Sequence, residues 1–115
     1  MLEISHADIG DDVVVVTLNG SILRGAESEE IERIVAELLQ QGRRKIIFDL
    51  SSVRRLDSVG IGRFICSFNE VERAGGRLAM AGATGHVRDV FHVTRLDTIM
   101  RFHSDVPAAR AAIVG

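Results

Sequence analysis

Short β-branched and apolar runs alternate along the chain with stripes of apolar residues at helical spacing, and that alternation limits the folds available to it. VVVVTLNG, Val13 to Gly20, is β-branched, has Asp11-Asp12 before it and ends on Asn19-Gly20, which predicts a strand. In AESEEIERIVAELLQQG, the residues Ile31, Ile34, Val35, Leu38 and Leu39 form one stripe at helical spacing. Glu27, Glu29 and Glu30 crowd its first turn, where the helix dipole favours negative charge, and Gly42 suits a left-handed cap at its end. KIIFDL, Lys45 to Leu50, reads as a short strand buried on both faces. Past Val59 the helical stripe returns as Ile61, Phe64, Ile65, Phe68 and Val71, and Gly75-Gly76 stop it. Arg77–Gly82 predicts another central strand, and HVRDVFHV a short helix with Val87, Val90 and Phe91 on its apolar side. Thr98–Phe102 predicts a short strand, and Pro107 opens a last helix. Leu2, Ile4 and Ile9 suggest a short edge strand at the start.

The order is β-β-α-β-α-β-α-β-α. This is an α/β pattern, predicting a four- to five-stranded mixed sheet, largely parallel, with about four helices and an early antiparallel hairpin. Its 115 residues make one domain, 1–115. In such sheets functional groups gather at the carboxyl edge, where strands hand over to helices.

Composition narrows the function classes. Sixteen acids against fourteen bases give a net charge of −2, and five Phe with no Trp or Tyr offer no base-stacking platform, so no nucleic-acid partner is expected. Cys66, the single cysteine, cannot form an internal disulfide or a multi-cysteine metal site, and its place beside the helical stripe predicts partial burial. His86 and His92 stand six apart, not on one helical face, and His6 and His103 lie elsewhere, so neither metal nor cofactor is expected. The start, MLEISHADIG, carries no basic region followed by an apolar stretch, and the run Val13–Val16 is too short to span a bilayer. The expectation is a cytoplasmic protein without direct membrane insertion.

The stretch RLDSVGIGRF, Arg55 to Phe64, lies at one strand-to-helix handover and admits three readings. Ser58 as a nucleophile lacks the first glycine of G-x-S-x-G and needs a base, with His86, His92 and His103 as downstream candidates. Gly60-Ile61-Gly62 as a phosphate cradle lacks a third glycine, since Ile65 stands at that spacing. In the third reading Asp57 or Ser58 caps a helix. Two glycines in a first turn cost about 1 kcal/mol each relative to Ala, and they bare the surface around Ser58 to an approaching molecule. A hydroxyl there is a good phosphoacceptor, and a phosphate would add charge beside Asp57.

The same stretch resembles the hallmark D-S-[ST]-G-[LI]-G of the STAS domain family, and most closely its bacterial anti-sigma-factor antagonists, through Asp57, Ser58, Gly60, Ile61 and Gly62. Asn19-Gly20-Ser21-Ile22, Ile46–Leu50, Ala74-Gly75-Gly76-Arg77-Leu78 and the Val90–Ile99 region extend the resemblance over nearly the whole chain. It implies a STAS fold and a non-enzymatic switch protein that binds an anti-sigma factor which is also a serine kinase. That kinase phosphorylates the motif serine, Ser58 here, and so breaks the complex; a serine phosphatase resets it. The implied partner surface comprises Asp57, Ser58, Val59, Gly60, Ile61, Gly62, Leu23 and Arg24. Two positions depart from the pattern: Val59 replaces the second hydroxyl, and Leu23, followed by Arg24, stands where an Asp is frequent. The family also includes adaptor subunits of lipid-exporting ABC transporters and modules of larger sensory complexes, which is the alternative role.

Overall fold

The computed structural model describes residues 1–114. Five strands form one sheet in the order β1-β2-β3-β4-β5: β1 (Leu2–Asp8), β2 (Val13–Ile22), β3 (Lys45–Leu56), β4 (Arg77–Ala81) and β5 (Arg101–His103). β1 runs antiparallel to β2, and the other pairs are parallel. The helices are α1 (Ala26–Gln40), α2 (Ser58–Arg73), α3 (Gly85–Val93) and α4 (Val106–Val114). The hairpin and the mixed, mainly parallel sheet with four helices agree with the sequence pattern.

Because the parallel strands advance in one direction, right-handed crossovers place α1, α2 and α3 on the same face. There Ile31, Val35 and Leu38 of α1, Phe64 and Val71 of α2, and Val87 and Phe91 of α3 pack on Val14, Val16, Phe48, Leu50 and Met80 of the sheet. Phe48, Phe64, Phe91 and Phe102 form an aromatic ladder through this layer, with successive ring centroids 5.3, 5.7 and 4.8 Å apart. On the opposite face Val13, Val15, Ile47, Ala79 and Ala81 meet Ala109 and Ile113 of α4.

Three expectations need correction. β3 does not end at Leu50 but continues to Leu56, pairing with the end of β2. Its register slips twice, between Thr17 and Asn19 and between Gly20 and Ser21, where β3 advances one residue more than β2. The buried positions of β3 therefore go from Phe48 and Leu50 to Val53 and Leu56, and the period-two pattern is lost among serines and arginines. The proposed strand Thr98–Phe102 is also displaced: Leu96–Thr98 is a 3-10 turn entered through Arg95 in a left-handed conformation, and the strand begins at Arg101. Ile9 lies beyond β1 and packs on the α4 side. Gly42 does take a left-handed φ of 82°, and Pro107 sits in the first turn of α4.

Candidate functional site

The carboxyl ends of β2 and β3 meet at the start of α2. Asp57 is the cap: its Oδ1 accepts from the Gly60 N–H at 2.8 Å. Its Oδ2 accepts from the Arg24 N–H at 2.9 Å, and its own N–H donates to the Ile22 carbonyl at 3.3 Å. One carboxylate thus ties the loop after β2 to the first turn of α2. Those backbone donors, Gly60 first and Arg24 second, hold its carboxyl below the usual carboxylate range.

With Asp57 doing the capping, Ser58 is the first residue of α2 and is exposed. None of the three histidines weighed as a base serves it: His86 is exposed, His92 pairs with Asp97 at 2.8 Å, and His103 Nε2 is buried without a partner. The nucleophile reading therefore has no geometry behind it. Arg24 is exposed and meets Asp57 through its backbone, with no ion pair from its guanidinium among the described residues. Leu23, next to the last residue of β2, is half-buried, as are Val59, Ile61 and Gly62.

The two glycines do different things. A Cβ on Gly60 would stand 2.2 Å from the Ile22 carbonyl oxygen and 2.8 Å from Leu56 Cδ1, whereas one on Gly62 would meet nothing within 4 Å. The expectation that both bare the surface for a visitor is corrected for Gly60. It is buried, and its missing side chain lets α2 close on the end of β2. Gly62 alone leaves open space.

Sequence reasoning missed the tie between α1 and α2. Ser28, fully buried, donates from Oγ to the Gly25 carbonyl at 3.1 Å and receives Arg63 Nε at 3.2 Å, while Arg63 also pairs with Glu32 at 2.9 Å. The only hint in the sequence was a serine on the otherwise acidic first turn. Cys66 is exposed, not partly buried, and lost hydration followed by the nearby Glu32 carboxylate pushes its thiol up. Among the described residues no cluster of His, Cys, Asp and Glu could hold a metal, and no helix is long and apolar enough to cross a membrane.

Fold and site together define a class: a small α/β module that presents a free hydroxyl at a helix start on the carboxyl edge of its sheet. The family model for the STAS domain matches residues 6–109, and the chain belongs to that family. A Bordetella bronchiseptica protein, provisionally named the anti-sigma factor antagonist BtrV, is 24% identical over 102 residues, covering 89% of this chain and 87% of its own. An anti-sigma factor antagonist from Mycobacterium paratuberculosis superposes with a TM-score of 0.86 at 22% identity, over 100% of this chain and 96% of its own. The Bacillus cell fate determinant SpoIIAA in its phosphorylated form gives 0.73 at 21% identity, over 96% of this chain and 99% of its own.

Proposed function

We propose that this chain is an anti-sigma-factor antagonist that acts by binding, without catalysis of its own, and so regulates transcription in the cytoplasm. Its partner is an anti-sigma factor with serine kinase activity, and phosphorylation of Ser58 ends the complex until a serine phosphatase reverses it. The observation that carries this reading is the exposed Ser58 at the first position of α2, freed from capping by Asp57. Ser58, Val59 and Gly62, with Leu23 and Arg24, form the docking face; Asp57, Gly60 and Ile61 hold it in shape.

Phosphate at the start of a helix is stabilised by the dipole and by free N–H groups. It therefore leaves the fold intact while adding a charge of about −1.5 to −2 to a face that docks in neutral form. Arg24, next to the Leu23 that stands where an Asp is frequent, offers a guanidinium to that phosphate.

The test uses the anti-sigma factor captured with the tagged protein from its host. With ATP, the wild type should gain one phosphate at Ser58 by mass spectrometry and Ser58→Ala none. Ser58→Asp should weaken binding while its melting temperature stays near that of the wild type. A kinase that binds the wild type yet never modifies it would refute the phosphoswitch and favour an adaptor role.

A further inference from the structure

A second feature lies on the carboxyl edge at the other end of the sheet. A cleft of about 360 Å³ opens where β4 and β5 end and α3 begins, within the size range of small-molecule sites. The partly exposed Phe102 lines it, packed on the buried Phe91 with ring centroids 4.8 Å apart. Thr84, Arg88 and Ser104 stand on its walls. Thr84 precedes α3 in an extended conformation, and its hydroxyl does not cap the helix. Arg88, one turn on, is exposed and has no acidic partner among the described residues. Gly85 between them has a positive φ of 54°, with no atom within 4 Å of where its Cβ would be. The first N–H groups of α3 are thus left without a side-chain acceptor, beside a guanidinium and two hydroxyls.

Asp97 is the acidic wall residue, and its carboxylate is paired with His92 at 2.8 Å. Asp97 disfavours negative charge near it, while Arg88 and the open start of α3 favour it. A guanidinium, two hydroxyls and free N–H groups lining the same cleft as the partly exposed Phe102 ring match a compact anionic head carried on an apolar body.

We propose that this cleft binds a small organic anion, a carboxylate or phosphomonoester on an aromatic or apolar body, with Arg88 and the start of α3 taking the head and Phe102, backed by the buried Phe91, the body. The site is separate from Ser58 and does not depend on its phosphorylation.

The experiment is an amide NMR titration of the full chain with phenyl phosphate and with benzoate, and with benzyl alcohol as the neutral counterpart. At least one anion should produce saturable shifts centred on Thr84–Arg88 and Phe102–Ser104, and the two arms tell phosphate from carboxylate. Benzyl alcohol should bind more weakly than that anion. Arg88→Gln should reduce affinity about tenfold, the scale of one charge-assisted contact, while its spectrum elsewhere stays that of the wild type. Ser58→Ala should respond as the wild type does. The proposal is overturned by unsaturable shifts with both anions, by shifts centred on Ser58–Gly62, by an equal response to benzyl alcohol, or by undiminished affinity in a folded Arg88→Gln.

Discussion

Gly60→Ala and Gly62→Ala add the same methyl group two residues apart on α2, and they should move stability in opposite directions. Each removes a glycine from a helix, which by propensity alone contributes about 1 kcal/mol. At Gly62 nothing opposes that gain, since the new Cβ meets no atom within 4 Å. At Gly60 the Cβ would lie 2.2 Å from the Ile22 carbonyl oxygen, against an ordinary carbon contact of roughly 3.5–4.0 Å. Relief requires α2 to retreat from β2 by more than an ångström, and the opposing atom is backbone that cannot rotate away. Overpacking of this kind costs about 1–3 kcal/mol. The retreat also stretches the Asp57–Gly60 hydrogen bond of 2.8 Å, endangering a cap worth about 1 kcal/mol. The net expectation is a loss of about 1–3 kcal/mol for Gly60→Ala and a gain of up to about 1 kcal/mol for Gly62→Ala. For a domain of this length 1 kcal/mol corresponds to about 3–5 °C in Tm. Thermal melts followed by circular dichroism, with urea midpoints as a second measure, read both variants. A Gly60→Ala protein as stable as the wild type would refute the close approach of α2 to β2 and the structural role given to this glycine.

Two further outcomes follow from the same framework. The folded state lowers the Asp57 carboxyl, so its ionised form contributes stability above the unfolded value near 3.8, and that contribution disappears as pH falls through the folded value. Urea midpoints taken from neutral pH down to about pH 3 should therefore fall more in the wild type than in Asp57→Asn; parallel curves would remove Asp57 from the acid response. Phe64→Ala empties a fully buried site between Phe48 and Phe91 and should cost about 3–5 kcal/mol, read from chemical denaturation; a loss under 1 kcal/mol would contradict the packing of the ladder.

Where one physical signal dominated, the sequence was easy to read. The stripe of α1 buries against one layer and the β-branched run of β2 buries on both faces of the sheet, and the apolar pattern reports each directly. β3 past Leu50 was hidden because its bulges move the buried positions to a spacing of three, which breaks the alternation of a strand. The turn at Leu96–Thr98 depends on a left-handed Arg95, a conformation that no residue type there announces. At the site, the motif located Asp57 and Ser58 but not the division of labour between them, which rests on which side chain reaches the Gly60 N–H. Cys66 was misplaced because a position beside an apolar stripe is buried only if the neighbouring helix extends over it. Ser28 and Arg63 were silent because their contact joins residues 35 apart in the chain.

The antiparallel β1 has a practical side. Since β1 runs against its neighbours, the chain enters the sheet at the carboxyl edge: the Met1 carbonyl accepts from the Ser21 N–H at 3.0 Å, and the Leu2 N–H is held by Glu27 at 3.1 Å. α4 runs back the other way, and Arg77, at the opposite edge, donates to the Ile113 carbonyl at 3.0 Å. An affinity tag or fluorophore joined ahead of Met1 thus emerges at the carboxyl edge, next to Ser21 and Glu27. One joined after α4 leaves on the far side. For capture or immobilisation, the second attachment leaves the edge that carries Ser58 turned towards solution, while the first places the handle on that edge.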